Sequence, residues 1–333
     1  MSTTGLDTMG IRADPDLESA VRAGLVDVER LLREAVASEF AFVTEASRHL
    51  TDAGGKRFRS MVVLLAAHFA DPAAPGVIQA AAAIELTHLS TLYHDDVMDE
   101  APLRRGAASA NARWTNTVAI LVGDYLFARA SEITADLGPE ATRILAQTIA
   151  TLCEGQIRET VGPNPGDDPV EHYLRVVTGK TASLIAASSR LGAMMAGADP
   201  VTADILATYG ERIGVGFQLS DDIIDVASES VSSGKTPGTD LRAGVLTLPV
   251  LYTLRCADPA ADRLRTLVEG GFANDAEVTE ALTLLRGHAG LDQARTELRR
   301  WAASARDCLA PLPEGAAKTA LESLAEFVVD RTG

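Results

Sequence analysis

Apolar residues recur at three- and four-residue intervals near the start of the chain, and long stretches beyond it read helical. Nowhere do apolar residues alternate with polar ones over a length that would make a strand. Between positions 17 and about 50 the series Val21, Leu25, Val28, Leu31, Leu32, Ala35 lines one helical face. The apolar run 61–70 reads as a buried helix, and stretches between breaks predict helices over 77 to about 99, about 117–136, 139 to about 161, 170–197 and 201–227, and several more after about 246. Glycine and proline mark the breaks between them, at 51–55, 71–76, Pro102 and 162–166. The Ser- and Gly-rich segment 228–239 reads as a mobile loop between two helices. No repeat of 20–50 residues is visible. The expected class is all-α, a single large helical bundle from 17 to 333 behind a flexible N-terminus at 1–16.

Composition supports that class and excludes several functions. Hydrophobic residues make up 47% of 333 positions, enough for a sizeable core, while aromatics are only 5%. A net charge of −16 argues against a nucleic-acid-binding surface, although local cations could still bind an anionic substrate. Cys153, Cys256 and Cys308 are widely separated and lack metal-ligand spacing, as expected of free thiols in a reducing compartment. The polar N-terminus has no apolar signal-peptide core. No apolar run reaches the roughly 18 residues of a membrane span; 184–198 comes nearest and contains Arg190. The expectation is a cytoplasmic protein that could touch a membrane peripherally.

Two acidic clusters carry the chemistry. In His94-Asp95-Asp96-Val97-Met98-Asp99, Asp95 and Asp99 are four residues apart and share a helical face. Such like charges repel unless a cation lies between them, and Mg²⁺ prefers carboxylate, water and phosphate oxygens. One such cluster in so acidic a chain could be a solvated patch. The spacing recurs, however, in Asp221-Asp222-Ile223-Ile224-Asp225, among Phe217, Leu219 and Val226, where unpaired carboxylates would be costly. Two clusters on facing helices would build one acidic, metal-binding cavity. Cations lie nearby in sequence: Lys56, Arg57 and Arg59 after Gly54-Gly55, then Arg104-Arg105, Lys180 and Lys235. Arginine forks and lysine point charges both suit phosphate. His88 is seven residues before Asp95, two turns back on nearly the same face.

These landmarks resemble the trans-isoprenyl diphosphate synthases, or polyprenyl synthetases, in the order that family shows. They are GGKRFR at 54–59, ELTHLSTLYHDDVMD at 85–99, RRG at 104–106, GDYLF at 123–127, GKTA at 179–182, FQLSDDIID at 217–225 and GKTPGTDLRAG at 234–244. The resemblance runs from about Leu17 to the C-terminus. It implies a helical bundle of the isoprenoid synthase type with a central active-site cavity. The implied reaction is Mg²⁺-dependent condensation of isopentenyl diphosphate with an allylic diphosphate. By the same resemblance Asp95, Asp96 and Asp99 hold two Mg²⁺ ions, and Asp221, Asp222 and Asp225 a third. Arg104, Lys180, Thr181, Gln218 and Lys235 contact the allylic diphosphate or its metals. By that resemblance Lys56, Arg59, His88 and Arg105 hold isopentenyl diphosphate; Asp124, after Gly123, reads on its own as a locally bonded helix residue that lends structural support. The family often has a lysine where this chain has Val245.

Product length should depend on the helix before Asp95, at Leu86, Thr87, Ser90 and Thr91. Bulky residues at 90 and 91 accompany short products in the family; the small ones here resemble long-chain members, of about C30–C50, with a geranylgeranyl length as the alternative. A terpene cyclase would leave Lys56, Arg59 and Arg105 unexplained. A non-catalytic partner subunit should have lost its acids, and a plain helical scaffold needs none. The resemblance also implies a homodimer.

Overall fold

A computed structural model of the chain describes residues 6, 10–228 and 237–332. The expected all-α class is observed. The described elements are α1 (Pro15–Ala35), α2 (Ala41–Asp52), α3 (Phe58–Ala67), α4 (Gly76–Met98), α5 (Ala110–Arg113), α6 (Asn116–Asp136), α7 (Pro139–Val161), α8 (Pro169–Val177), α9 (Ser183–Met195), α10 (Pro200–Ala227), α11 (Thr239–Arg242), α12 (Leu248–Leu254), α13 (Pro259–Gly270), α14 (Asp275–Arg286), α15 (Ala289–Cys308) and α16 (Ala316–Asp330). A π-helical turn, Thr178–Ala182, joins α8 to α9. The strands are β1 (Leu103–Arg104) and β2 (Ala107–Ala108), which pair antiparallel. Among the described residues no helix is long and apolar enough to cross a membrane.

Contacts divide the chain into two compact units. The first comprises Met1–Ala150, Leu184–Gly210 and Pro311–Leu321. At its centre α4 is buried nearly all round and packs on α6, α3 and α1. Ala80, Ala81, Ala82 and Ala83 are all fully buried, and such small side chains let neighbouring helices come close. Gly192 of α9 shows how close: a Cβ there would stand 2.2 Å from the Val63 carbonyl oxygen. The Tyr93 hydroxyl donates to the Ala46 carbonyl at 2.6 Å and accepts from Leu50 N–H at 3.3 Å, fastening α2 to α4.

The second unit comprises Thr151–Ser183, Glu211–Ala310 and Glu322–Gly333. Its α12 packs against α15, α13 and α8. Asp258 caps α13 through Ala260 and Ala261 N–H, and His288 caps α15 through Gly290 N–H.

The helix expected over 17–50 is interrupted. Thr44 Oγ1 accepts from Ser38 N–H at 2.9 Å and donates to the Ser38 carbonyl at 3.1 Å, making a turn between α1 and α2. The helix expected over 170–197 is α8, the π turn and α9 in succession. The β1–β2 hairpin and the four-residue helices α5 and α11 are too short to leave a periodic signal. Leu6 and Ile11, within the segment expected to be flexible, are buried.

Candidate active site

In the first unit the site is built on the C-terminal half of α4 and two flanking loops. Asp95 and Asp99 lie one turn apart, and Asp99 keeps 59% of its side chain exposed. Asp96 is rotated off that face and fully buried. One of its oxygens accepts from Arg104 Nε at 2.6 Å; the other, Oδ2, is buried without a partner. Burial pushes the Asp96 carboxyl above the usual range, against the pull of Arg104.

The β1–β2 hairpin delivers the arginine pair. Arg105 and Gly106 occupy its two-residue turn with φ of 55° and 77°, the left-handed conformation that matches the strand twist. Arg104 thereby reaches Asp96, and comes within 4.0 Å of Asp99. Arg105 donates through Nη1 to the carbonyls of Leu50 and Gly54. Gly55 makes room for it, because a Cβ there would meet the Arg105 guanidinium carbon at 2.9 Å.

Of the three cations at 56–59, each has a different environment. Lys56 is exposed and pairs with no described residue. Arg57 is buried and bonded to Glu29, Glu85 and the Thr51 carbonyl, at 2.5, 2.8 and 3.0 Å. Arg59 is half-buried with its Nε unpartnered. Burial pushes the Arg59 guanidinium down, Glu85 holds it up, and Arg105 pushes it down further. His88 lies within the field of these groups. Burial first, then Arg59, Arg105, Arg57 and Arg104, hold its imidazole well below the usual range, so it is neutral at pH 7. Of the residues expected to set product length, Leu86, Thr87 and Ser90 are buried and Thr91 is half-buried. Thr87 and Thr91 turn their hydroxyls to the carbonyls of Ala83 and His88. Asp124 pairs with His94 at 3.3 Å.

In the second unit every aspartate of the later cluster is held by a different donor. Asp221 accepts from Arg331 Nη1 at 2.9 Å. Asp222 is buried, accepting from the Tyr173 hydroxyl on one oxygen and from Gln218 Nε2 at 2.9 Å on the other. Burial pushes the Asp222 carboxyl up to about 7, although Tyr173 and Gln218 pull it down. Burial and the neighbouring Asp222 in turn hold the Tyr173 phenol well above its usual value. Asp225 accepts from the N–H groups of Thr239 and Asp240, at 3.1 and 3.2 Å, and so begins α11. Thr181 Oγ1 donates to Gln218 Oε1 at 3.2 Å, which orients the amide toward Asp222.

The π turn places Lys180 beside Thr181 and against α7. Its Nζ donates to Glu159 at 2.5 Å. A π turn widens the helix by one residue, a device that recurs at functional sites. Lys235 lies outside the described residues. Val245 is 38% exposed, so the position could carry a long cation without burying it.

The sequence reading missed Tyr173 and Arg331. Tyr173 sits amid an ordinary amphipathic helix, and Arg331 lies 111 residues from the serine it bonds, so neither has a local signal.

Both clusters offer only carboxylate oxygens, and the repeated one-turn spacing presents the outer two acids together. That donor set suits Mg²⁺, which takes one or two carboxylates and fills its remaining positions with water and phosphate oxygens. Among the described residues the single group of three potential ligand atoms within 4.8 Å of one another is Cys256, Asp258 and His288. There His288 Nδ1 accepts from Gly290 N–H, so Nε2 carries the proton and donates to Asp258 at 2.9 Å. Both ring nitrogens are spent on capping, and a cation would have to break a helix cap to bind.

The polyprenyl synthetase family model matches residues 41–285. Nonaprenyl diphosphate synthase of Mycobacterium tuberculosis is 50% identical over 321 residues, covering 96% of each chain. A dimethylallyltranstransferase of the same organism is 42% identical, covering 95% of this chain and 96% of its own. Among solved structures, geranylgeranyl pyrophosphate synthase from Corynebacterium glutamicum, complexed with calcium and isoprenyl diphosphate, superposes with a TM-score of 0.88 at 46% identity. That match covers 97% of this chain and all of the other. Match, identity and coverage agree with the order of the motifs: the chain belongs to the polyprenyl synthetase family.

Proposed function

We propose that the protein is a Mg²⁺-dependent trans-prenyltransferase that condenses isopentenyl diphosphate with an allylic diphosphate to make a long-chain all-trans polyprenyl diphosphate. The observation that carries this reading is the doubled aspartate cluster: each has outer carboxylates one turn apart and an inner carboxylate buried and hydrogen-bonded by the protein.

Asp95 and Asp99 would hold two Mg²⁺ ions, and Asp221 and Asp225 a third. Asp96 and Asp222 would act from behind them, through Arg104 and through Tyr173 and Gln218. Bound Mg²⁺ would supply Lewis-acid neutralisation of the departing diphosphate. Arg104, Lys180, Thr181, Gln218 and Lys235 would hold that diphosphate, Lys180 exchanging Glu159 for it. Lys56, Arg59 and Arg105 would clamp isopentenyl diphosphate, with neutral His88 as a hydrogen-bond donor. The allylic C1–O bond breaks with both electrons leaving on the diphosphate. The isopentenyl double bond then attacks C1, and a proton is lost to restore an alkene. The leaving diphosphate can accept that proton, so no side-chain base is required. The buried apolar side chains of α4 would keep water from the allylic cation.

A long product is supported by the small residues Ser90 and Thr91 and by the nonaprenyl relative. The geranylgeranyl length is the second reading, favoured by the Corynebacterium neighbour. We also propose a homodimer, for which α6 leaves Ile120, Leu121 and Phe127 exposed, and a cytoplasmic location with peripheral membrane contact during product release.

The test is incubation of purified protein with Mg²⁺, radiolabelled isopentenyl diphosphate and farnesyl diphosphate, followed by chain-length analysis. Polyprenyl products that disappear in Asp95→Ala support the reading. Products ending at C20 select the geranylgeranyl alternative. No incorporation with any allylic primer overturns the catalytic assignment.

A further inference from the structure

Arg331 follows the last residue of α16, yet its guanidinium is spent on the second aspartate cluster. Nη1 lies 2.9 Å from Asp221 Oδ1, Nε donates to Ser220 Oγ at 2.6 Å, and Nη2 donates to the Phe217 carbonyl at 2.8 Å. The guanidinium carbon stands 4.2 Å over the Phe217 ring and 6.0 Å from that of Phe327. Only 14% of the side chain is exposed. Phe217, Ser220 and Asp221 lie three and four residues apart on one face of α10, so a single planar fork grips that face at three points. Surface ion pairs are rarely held this way: two of the three donors are satisfied by groups that cannot move without unwinding α10 or turning a buried serine.

This geometry has an electrostatic consequence. A cation bound to the remaining oxygen of Asp221 would sit a few ångströms from a fixed positive charge that is largely shielded from water. Coulomb repulsion at that range opposes a divalent cation unless further negative charge arrives with it. A diphosphate is such a charge.

We propose that Arg331 is a positioning residue that occupies Asp221 as a built-in counter-cation, so that the second aspartate cluster takes a divalent metal only together with a diphosphate. The proposal rests on the prenyltransferase reading of that cluster. It makes the order of loading a property of Arg331: the metal-free protein keeps Asp221 oriented, and the substrate's own charge admits the ion.

The probe is Mn²⁺, an oxygen-seeking paramagnetic stand-in for Mg²⁺, titrated into the full-length metal-free protein and followed by electron paramagnetic resonance, with and without inorganic pyrophosphate. In the wild type, pyrophosphate should strengthen Mn²⁺ binding to the Asp221 site. In Arg331→Met, which keeps length and apolar packing, Mn²⁺ alone should bind at least tenfold tighter, with correspondingly less gain from pyrophosphate. Adding Asp221→Asn to that variant should abolish the gain. Arg331→Lys keeps the charge without the fork and should retain the wild-type dependence on pyrophosphate, which separates charge from packing and serves if the methionine variant folds poorly. Equal or weaker Mn²⁺ binding in folded Arg331→Met, or a loss of pyrophosphate dependence in Arg331→Lys, overturns the proposal. Failure of the wild type to incorporate isopentenyl diphosphate would instead refute the prenyltransferase reading, so the two failures are told apart.

Discussion

Gly155 of α7 lies so close to Lys180 that a Cβ on it would stand 2.5 Å from the Lys180 backbone nitrogen and 2.8 Å from the Gly179 carbonyl carbon. The reverse holds as well, since a Cβ on Gly179 would meet Gly155 Cα at 3.1 Å. Two glycines therefore let α7 press directly on the π turn that presents Lys180 and Thr181. Backbone atoms cannot rotate aside as a side chain can. Gly155→Ala should destabilise the protein by roughly 1–3 kcal/mol, the usual range for overpacking. It should also lower kcat/KM, because displaced backbone carries Lys180 and Thr181 with it. Thermal unfolding and steady-state kinetics on the same preparation check this. Unchanged melting and kinetics would mean that the helices do not meet at this point.

This contact also marks where sequence reading stops. The acids at 95, 96, 99, 221, 222 and 225 stood out because the same one-turn spacing occurs twice, where a single cluster could be a solvated patch. The all-α class was legible because a 3.6-residue period persists through helices as long as α1 and α15. The π turn was not, since one extra residue in a turn leaves the apolar spacing of 170–197 nearly intact. Nor was the difference between Asp96 and its neighbours, which depends on what covers each face of α4. Tyr173 and Arg331 reach the second cluster across 49 and 111 residues, so only tertiary packing creates their roles.

The buried Asp222 carboxyl gives a signature in pH. Its pKa rises from the unfolded value of 3.8 to about 7, chiefly through burial. The folded state therefore holds a proton that the unfolded chain has lost between these two values. Stability from this group is fully present below about pH 4 and is lost as pH rises to about 7, above which it stays flat. The metal-free protein should show a falling melting temperature through that window relative to Asp222→Asn, which has no such proton to lose. Tyr173→Phe removes a donor to the ionised form and should move the transition to higher pH. A wild-type profile parallel to that of Asp222→Asn would show that the carboxyl does not titrate there.

Arg57 is a structural arginine between two cations proposed to bind substrate. It adopts φ of 48° and joins Glu29 to Glu85 under complete burial of the Glu85 pair. Removing the guanidinium would strand Glu85 at 2% exposure, so Arg57→Ala should cost roughly 3–5 kcal/mol of stability. Denaturant midpoints measure the loss. Changing both partners, as Arg57→Met with Glu85→Gln, removes the stranded Glu85 charge and should recover part of it. If the double variant is as unstable as the single one, the cost lies in packing rather than in the buried charge.

Thr91 tests how product length is set. It lies one turn before Asp95 on α4, is half-buried, and turns its hydroxyl to the His88 carbonyl. Ser90 beside it is only 5% exposed, so enlarging Ser90 would overpack the core and confuse a length effect with a folding one. Thr91 is half-buried rather than buried, so enlarging it should disturb the core less. If the growing chain runs along this face from the aspartates, a phenyl ring at 91 should stop it after fewer additions. Thr91→Phe should then shift the products to shorter polyprenyl diphosphates, while incorporation of the first isopentenyl unit stays within about threefold of the wild type. Chromatography of dephosphorylated products gives the distribution. An unchanged distribution in a folded, active variant would place the chain along another face of α4 and remove Thr91 from the determinants of length. A uniform loss of all products would instead show that the ring blocks entry of the primer.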